Sequence, residues 1–459
     1  MAEAKPSDRS SWIQVTLRVK LPPDIAPTSV FDFLQSQHRE LHAHIAYDYD
    51  YRPVPVNVRN ADPEFVARGG QFVIVRARVN PNRIWLLRDA PFVDHVGRDA
   101  RVEPFERQPP MMTVPSFGIR AASGRVECAT TERADDTAAQ VARALGVERL
   151  WKAGLTGRGI VVGIVDGGIT AYGRPMAFTS LEEIPHEPAS GPVIAGWPGD
   201  WGTTAEGWGQ HGNMIAFDVQ AMAPEAALWD IRIWQPDSAF ETYVSNAIQG
   251  YRLAIESFLT YGVPHILVNA WGIYDSATSP EYAFDPKSDI AVLVEQALDA
   301  GILVLFAAGN CGDGCPFAPG TPCGIGNRGP GGSILGPNGH PEVMSVGAAT
   351  LKGDWCGYTS QGPAVLPPND PDKPDFCAIS QFEGFFPNES GLRPYDGGTS
   401  AATGIAGGIV ALLKQARADL TQADCKRVLR ETAHPIRTPA AYDGAGAGII
   451  DPVRALRAL

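Results

Sequence analysis

The stretch GIVVGIVDGGI (159–169) places a run of apolar residues directly before an aspartate, Asp166. A short apolar run of this kind predicts a buried β-strand. Four further runs of the same type follow along the chain, at 226–234, 265–271, 301–308 and 342–349. Stretches with apolar residues at helical spacing lie between them, at 242–262 and 288–301. Short apolar strands alternating with amphipathic helices predict an α/β fold with a mostly parallel sheet covered by helices on both faces.

Four polar residues lie at or near the ends of these predicted elements, where active sites of parallel sheets are found. Asp166 ends the first strand, His211 lies in GWGQHGNMIA, Asn310 ends VLFAAGN, and Ser400 begins an apolar helix in GGTSAATGIAGGIVALL. Taken singly, each has an ordinary structural explanation, because helix caps and turns use the same residue types. Taken together, they supply an orienting carboxylate, a base, an oxyanion donor and a nucleophile.

The chemistry of acyl transfer explains why these residue types belong together. A serine hydroxyl is a poor nucleophile unless a base such as His211 takes its proton during attack. A carboxylate on the other ring nitrogen holds the imidazole in one tautomer and stabilises its positive charge. The tetrahedral intermediate carries a new negative charge, which the amide of Asn310 and the backbone N–H of Ser400 could stabilise.

The same segments resemble those of the subtilisin-like serine proteases (subtilases), whose catalytic residues occur in the order Asp, His, Ser. GIVDGGI resembles the aspartate strand of that family, HGNMIA its histidine helix, AAGN its oxyanion segment and GGTSAATGIAGGIVALL its serine helix. The resemblance extends from about residue 139 to residue 459. It implies a subtilisin-like doubly wound fold and a serine endopeptidase that uses Asp166, His211 and Ser400 as its triad, with Asn310 in the oxyanion hole.

The histidine segment departs from the family pattern at Asn213, where threonine is usual, and at Phe217-Asp218, which stands in place of a pair of small residues. None of these departures removes a catalytic group, so the sequence favours an active endopeptidase. The alternative hypothesis is a catalytically impaired pseudoprotease that acts as a peptide-binding module.

The resemblance also assigns two segments to substrate binding. Ala270-Trp271-Gly272 matches the strand that pairs with the substrate backbone in this family. Such pairing adds the substrate to the sheet as a further strand, and side pockets then select its side chains. Ala307-Ala308-Gly309, directly before Asn310, would form the floor of the pocket for the residue before the cut.

The N-terminal part of the chain has a different pattern. Its strands and helices, beginning with WIQVTLRVKL (12–21), follow the order β-α-β-β-α-β, provided that 45–60 supplies the second strand. This order predicts a ferredoxin-like α+β unit, and it resembles the propeptide of subtilases. We therefore predict a propeptide-like domain at 1–105, a Pro-rich linker at 106–136 and a catalytic domain at 137–459. The N-terminal domain would assist folding or inhibit the enzyme until the chain is cut within 100–136; the alternative is a permanently attached regulatory domain.

The loop after Asn310 contains Cys311, Cys315 and Cys323, three of the seven cysteines of the chain. Three states stay open for them: free thiols, a disulfide with Cys356 or Cys377, or a metal site completed by a ligand such as His340. The spacing is not a familiar zinc pattern. We expect no cofactor. A structural calcium ion is left open, but no clear motif supports it. Asp370, Asp372 and Asp375 could hold a cation, and the alternative is that they belong to a solvated Pro-rich turn.

Composition sets the broad class. The chain has 459 residues, 44% of them hydrophobic, which is enough for a large buried core. A formal net charge of −13 argues against a nucleic-acid partner, and no apolar stretch approaches the length of a membrane span. The expected partners are a peptide or protein substrate and the chain's own N-terminal domain. The first residues lack the features of a secretory signal, which favours a cytoplasmic location.

Overall fold

The structure is a computed structural model that describes most of the chain. The described residues are 11–37, 39–105, 120–121, 124–128, 136–171, 192–203, 207–235, 242–315, 321–385, 395–436 and 444–459. Among them, no helix is both long enough and apolar enough to span a lipid bilayer. Most of the predicted linker at 106–136 lies outside the described residues.

An antiparallel sheet forms the N-terminal unit. Its strands are β1 (Ile13–Leu21), β2 (Ile45–Tyr47), β3 (Val54–Val56), β4 (Gln71–Val79) and β5 (Val93–Arg98). Its helices are α1 (Val30–Ser36), α2 (Arg39–His42), α3 (Pro63–Ala67) and α4 (Trp85–Arg88). The strand order is β2-β4-β1-β5, with β3 also paired to β4. Alternate residues of β1 pack with Val30 and Leu34 of α1 in a separate apolar core. The second strand that the ferredoxin-like order requires is therefore supplied by β2 and β3.

A ten-stranded sheet lies at the centre of the rest of the chain. Its strands are β7 (Arg120–Ala121), β8 (Gly124–Glu127), β9 (Val161–Asp166), β10 (Val193–Trp197), β11 (Ala227–Arg232), β13 (Ile266–Asn269), β15 (Leu303–Ala307), β16 (Met344–Ala349), β17 (Trp355–Cys356) and β18 (Phe376–Ile379). The order is β10-β11-β9-β13-β15-β16-β17-β8-β7, with β18 beside β16. Neighbouring strands from β10 to β16 are parallel. The five strands predicted from the sequence, β9, β11, β13, β15 and β16, are confirmed.

Helices cover both faces of this sheet. They are α5 (Ala138–Ala144), α6 (Val147–Lys152), α7 (His211–Met222), α8 (Val244–Tyr261), α9 (Pro280–Phe284), α10 (Asp289–Ala300), α11 (Gly398–Ala416), α12 (Gln422–Thr432) and α13 (Pro452–Ala458). On β9, Val162 and Ile164 pack in one core with residues of α7 and α11. Val161 and Val165 pack in a second core with residues of α8 and α10. The predicted sheet with helices on both faces is confirmed.

Glycines let α7 and α11 pack unusually close together. A Cβ atom at Gly404 would lie 2.6 Å from the Cβ atom of Asp218, and one at Gly408 would lie 2.4 Å from the carbonyl oxygen of Val219. The contacting positions rise together along both helices, so the helices run in the same direction. The first turns of both helices, which carry His211 and Ser400, therefore lie at the same end.

A small third sheet joins the N-terminal unit to the rest of the chain. It consists of β6 (Arg101–Pro104), β12 (Thr242–Tyr243) and β14 (Trp271–Gly272). β6 lies between the other two strands, antiparallel to both. The last strand of the N-terminal unit therefore continues into a groove of the α/β unit.

The structure differs from the linker prediction within 106–136. β8 pairs in parallel with β17 and thereby extends the central sheet. This strand brings Cys128 next to Cys315, and the two form a disulfide. The sequence pattern could not show this, because the two cysteines are 187 residues apart.

A second disulfide joins Cys311 to Cys323. Cys356 and Cys377, the partners suggested from the sequence, are instead free and buried. The prediction of a disulfide to either residue is wrong, because the partners of the loop cysteines are a loop neighbour and β8. Cysteines in disulfides have no thiolate to offer a metal, so the proposed metal site with His340 is not formed by this loop.

Candidate active site

Asp166 and His211 form a buried pair at the carboxyl end of β9. The Nδ1 atom of His211 lies 2.9 Å from Oδ1 and 3.0 Å from Oδ2 of Asp166. Each side chain is only 1% exposed. Gly212, the next residue of α7, has no room for a side chain, since a Cβ atom there would lie 2.2 Å from the carbonyl oxygen of Gly168. This close approach fixes the first turn of α7 against the loop that follows β9.

Ser400 lies in the first turn of α11 and is fully buried. Its hydroxyl donates a hydrogen bond to the carbonyl oxygen of Phe105 at 3.0 Å, and a longer one to the carbonyl oxygen of Ala270 at 3.4 Å. Phe105 directly follows β6, so the N-terminal unit reaches the proposed nucleophile. The parallel packing of α7 and α11 places His211 at the same end of the sheet.

Asn310 lies directly beyond β15, held by the first turn of α11. Its Oδ1 atom accepts hydrogen bonds from the backbone N–H of Thr399 at 3.0 Å and from the Thr399 hydroxyl at 2.9 Å. This fixes the amide orientation, so that Nδ2 donates to the carbonyl oxygen of Phe105 at 2.9 Å. Gly398, directly before Thr399, has φ +73°, and a Cβ atom there would lie 3.1 Å from the same carbonyl oxygen. A glycine is therefore required where the chain passes the Phe105 carbonyl group.

Backbone pairing holds the residues before Phe105 in the cleft. Pro104 lies opposite Trp271, and Glu103 lies opposite Gly272. The backbone N–H of Phe105 donates to the carbonyl oxygen of Ala270 at 3.0 Å. The predicted segment Ala270-Trp271-Gly272 thus pairs with an extended chain, and the chain in this structure is the protein's own strand β6.

The ring of Phe105 occupies an apolar pocket. It packs with Tyr274, Ala307, Cys311 and Cys323 in one buried cluster. Cβ atoms at Gly272 and Gly309 would lie 2.6 Å and 3.6 Å from the tip of the ring.

Of the three residues predicted to form the pocket floor, two lie beside the Phe105 ring and one does not. Ala307 contacts the Phe105 cluster. Gly309 approaches the ring with φ +107°. Ala308, in contrast, packs with Ile334 and Ala364 in a separate small core.

Sequence reasoning missed several residues that shape this cleft. Asn338 donates from Nδ2 to the carbonyl oxygens of Trp271 and Ala307, both at 2.9 Å, and so ties the two walls together. The Tyr274 hydroxyl donates to the carbonyl oxygen of Pro104 at 2.9 Å. Thr399 orients Asn310, as described above. Asn338 lies in a Gly- and Pro-rich loop, where an asparagine ordinarily indicates a turn, so its pattern carried no signal.

Two buried aspartates lie near the catalytic elements. Asp230 on β11 accepts hydrogen bonds from the backbone N–H groups of Ile169 at 3.0 Å and Gly202 at 2.7 Å. Burial raises the pKa of Asp230 to about 7. On α7, burial together with the nearby carboxyl group of Asp396 raises the pKa of Asp218 well above its usual range. The shift favours the protonated form of Asp218, which lies on the same helix as His211.

Charged groups neutralise the acidic clusters that a cation could otherwise occupy. Within the described residues, Glu295, His340 and Glu342 could together hold a metal ion. Arg59 of the N-terminal unit lies among them, with Nη1 at 3.6 Å from Glu295 and 2.5 Å from Glu342.

Two of the three aspartates that the sequence offered for a cation, Asp372 and Asp375, also have cationic partners. Asp375 is buried, and one of its oxygens lies 2.8 Å from Nζ of Lys373 while the other lies 2.8 Å from Nζ of Lys426. Asp372 pairs with Arg430 at 2.8 Å. These carboxylates act in ion pairs in this structure.

The geometry described above is matched by a known family of proteins. The model of the subtilase family (Peptidase_S8) matches residues 157–448. This range contains the whole central sheet from β9 to β18 and all four predicted catalytic residues. The chain belongs to the subtilase family of subtilisin-like serine proteases.

Relatives and solved structures agree with this assignment. The chain is 27% identical to Mycosin-1 of Mycobacterium tuberculosis over 343 residues, covering 66% of this chain and 69% of that protein. It is 25% identical to Bacillopeptidase F of Bacillus subtilis over 335 residues, covering 68% of this chain but only 21% of that protein. The crystal structure of fervidolysin from Fervidobacterium pennivorans, a keratinolytic enzyme, has the same fold with a TM-score of 0.60. That match has 17% identity and covers 97% of this chain and 61% of fervidolysin.

Proposed function

We propose that the chain is a serine endopeptidase in which Asp166, His211 and Ser400 form the catalytic triad and Asn310 stabilises the oxyanion. The observation that carries the proposal is the position of the Phe105 carbonyl oxygen, which lies 2.9 Å from Nδ2 of Asn310 and 3.0 Å from Oγ of Ser400. A carbonyl group at this point faces a nucleophile and an oxyanion donor at once. The membership of the chain in the subtilase family supports the same assignment.

The proposed reaction follows from these positions. The Ser400 Oγ atom attacks the carbonyl carbon while His211 takes its proton at Nε2. Asp166, within 3.0 Å of Nδ1, keeps the other proton on that nitrogen and stabilises the imidazolium. The oxyanion accepts a hydrogen bond from the Nδ2 amide group of Asn310. His211 then protonates the leaving amine as the C–N bond breaks. Water hydrolyses the resulting Ser400 ester in a second attack, in which His211 again acts first as base and then as acid.

We further propose that the N-terminal unit is both the first substrate and an inhibitor of this site. β6 lies between β12 and β14, so it fills the groove that a substrate strand would need. The residue whose carbonyl group meets Ser400 is Phe105, which places the self-cleavage between Phe105 and Glu106. The strand before the cut would stay in the cleft as a bound product and keep other chains out.

Two measurements test the proposal on the full chain. Intact-mass analysis under denaturing conditions should find a fragment that ends at Phe105 in the wild type and only the uncut chain in Ser400→Ala. A fluorophosphonate probe should label the wild type at Ser400 once the N-terminal fragment is removed. Ser257→Ala, which changes a buried serine of α8, is the matched control and should behave like the wild type.

The outcomes separate the alternatives. Cutting of Ser400→Ala at the wild-type rate would refute self-cleavage. A wild type that stays intact would favour a permanently attached regulatory domain. A wild type that binds peptides but neither labels nor hydrolyses them would favour the pseudoprotease.

A further inference from the structure

The pocket around Phe105 is built around a disulfide. The Cys311–Cys323 bond packs against the Phe105 ring together with Tyr274 and Ala307. The two cysteines are 4% and 3% exposed, and Phe105 is 4% exposed. The rings of Phe105 and Tyr274 meet edge to face with 5.3 Å between their centroids, a favourable arrangement for an aromatic pair.

The disulfide joins two segments that lie beside this pocket. Cys311 directly follows Asn310, so one end of the bond is anchored to the oxyanion segment. Beyond the other end, the backbone N–H of Gly324 donates to the carbonyl oxygen of Tyr274 at 2.9 Å. The bond therefore holds the segment after β15 that carries Asn310 and the segment after β14 that carries Tyr274 at a fixed separation, beside the ring.

We infer that the Cys311–Cys323 disulfide is a specificity-determining element, and that with Tyr274 it shapes the pocket to accept a large aromatic side chain before the cut. The inference rests on the proposed function, because it describes the pocket of that same site. Its observed occupant is the chain's own Phe105. The side chains of the pocket cluster are apolar or aromatic, so burying a charged side chain among them would cost hydration that a large apolar ring does not lose.

Peptide hydrolysis by the processed enzyme tests the preference. Three chromogenic peptides share the sequence Val-Glu-Pro, taken from residues 102–104, and differ only in the following residue, which is Phe, Ala or Glu. One methylene group more or less in an apolar pocket typically changes kcat/KM by roughly 10- to 200-fold, and Phe and Ala differ by a whole ring. We expect kcat/KM for the Phe peptide to exceed kcat/KM for the Ala peptide by at least roughly 10-fold. The Glu peptide should have the lowest kcat/KM of the three.

The role of the disulfide is tested by two matched double variants. Cys311→Ser with Cys323→Ser removes the pocket disulfide, whereas Cys128→Ser with Cys315→Ser removes the other disulfide of the same loop. The first pair should lower the Phe-to-Ala ratio toward 1, mainly through loss on the Phe peptide. The second pair should keep the ratio of the wild type. An unchanged ratio in the first pair, or an equal fall in both, would overturn the inference.

A second measurement keeps the test valid if the pocket variant folds poorly. The folded wild type is treated with dithiothreitol, whose two thiols reduce the bond to two cysteine thiols and close to a cyclic disulfide. The ratio should fall in the wild type and in the Cys128→Ser, Cys315→Ser variant alike. Retention of the ratio after reduction, confirmed by thiol counting, would contradict the inference.

Labelling of Ser400 distinguishes a failure of the pocket inference from a failure of the proposed function. If the probe labels Ser400 and the Ala peptide is hydrolysed, but the Phe-to-Ala ratio is near 1 in the wild type, the proposed function stands and the pocket inference fails. If neither labelling nor hydrolysis occurs, the proposed function itself fails.

Discussion

Among the contacts that join the N-terminal unit to the catalytic unit, two differ clearly in chemistry. The cleft contact consists of backbone pairing along β6 and one apolar ring, that of Phe105. Beside an apolar core that β3 and β4 share with α8 and α10, a second contact lies between the N-terminal sheet and α10 with its preceding loop, and it consists of ion pairs. Arg18 of β1, only 1% exposed, lies 2.7 Å from Asp94 and 2.8 Å from Asp289.

A histidine takes part in the same charged contact. His95 of β5 lies 3.1 Å from Asp285 and 3.5 Å from Asp289. Burial alone would lower the pKa of His95, but Asp289 and Asp285 outweigh burial and the nearby charge of Arg18, and they raise the pKa to about 9. We call the ion pairs of Arg18, His95, Asp94, Asp285 and Asp289 the charged contact.

The difference between the two contacts indicates a division of roles. Backbone pairing can be made by almost any extended chain, so a substrate can replace β6 in the cleft. The charged contact requires particular side chains at particular places, so only this N-terminal unit can make it. Under the proposed function, the cleft contact would block catalysis, and the charged contact would determine which unit blocks it.

Breaking the charged contact should have the largest effect, which we expect on the free energy of unfolding of the full chain. Arg18→Met leaves a buried carboxylate without its guanidinium, and breaking a buried ion pair typically costs about 3–5 kcal/mol. We expect a loss of this order in the free energy of unfolding of the full chain carrying Ser400→Ala, measured in urea by tryptophan fluorescence. Arg68→Ala, which removes an exposed pair with Glu64, is the control and should change little. Equal effects of both variants would contradict the division of roles.

Removing the oxyanion donor should act on catalysis and leave the charged contact intact. In subtilisin, loss of one such donor lowers turnover by about 10²–10³-fold, and we expect a fall of that size for Asn310→Ala. Peptide hydrolysis by the processed enzyme measures it. The urea midpoint of the same variant should stay close to that of the wild type. A turnover equal to that of the wild type would rule out the role assigned to Asn310.

The contribution of His95 should depend on pH. Because the pKa is raised from 6.5 to about 9 in the folded protein, the stabilisation is fully present below pH 6.5 and is lost as pH rises through 9. The shift corresponds to on the order of 3 kcal/mol. We expect His95→Gln to be less stable than the wild type at pH 6 and nearly equal to it at pH 10, both compared in the Ser400→Ala background. A difference independent of pH would show that His95 acts only through packing.

Replacing Arg59 should have the smallest effect on the free energy of unfolding. Its side chain is 31% exposed, and its partners Asp299 and Glu342 are 55% and 48% exposed. Exposed ion pairs contribute about 0–1 kcal/mol. Arg59→Ala should therefore lower the free energy of unfolding by no more than that, and less still at high salt. If Arg59→Ala lowered the free energy of unfolding as much as Arg18→Met does, the charged contact would have to include the ion pairs of Arg59.

The central fold could be predicted from local sequence, because each strand such as β9 has a continuous apolar pattern buried on both faces. Asp166, His211, Asn310 and Ser400 could be proposed as site residues because each lies at or near the end of such an element, and the motif order supported the proposal. β10 was missed, since Val193–Trp197 includes exposed and half-buried residues and lacks an apolar run.

Features that depend on distant pairs could not be predicted. The position of Phe105 in the cleft and the disulfide of Cys128 with Cys315 join segments 187 or more residues apart, and no local periodicity records such pairing. Asn338 was missed for the same reason, because its two acceptors, on Trp271 and Ala307, lie in other elements.

The position of the first cysteine has a consequence for the product of self-cleavage. All seven cysteines, beginning with Cys128, follow Phe105 in the sequence. The disulfide to Cys315 thus ties the chain after the cut to the catalytic unit, whereas the fragment before it carries no covalent tie. Before the cut, the inhibitor is present at the high effective concentration of a linked segment; afterwards its occupancy depends on dilution. Cleavage would thereby convert a permanent block into one that is lifted by simply lowering the protein concentration.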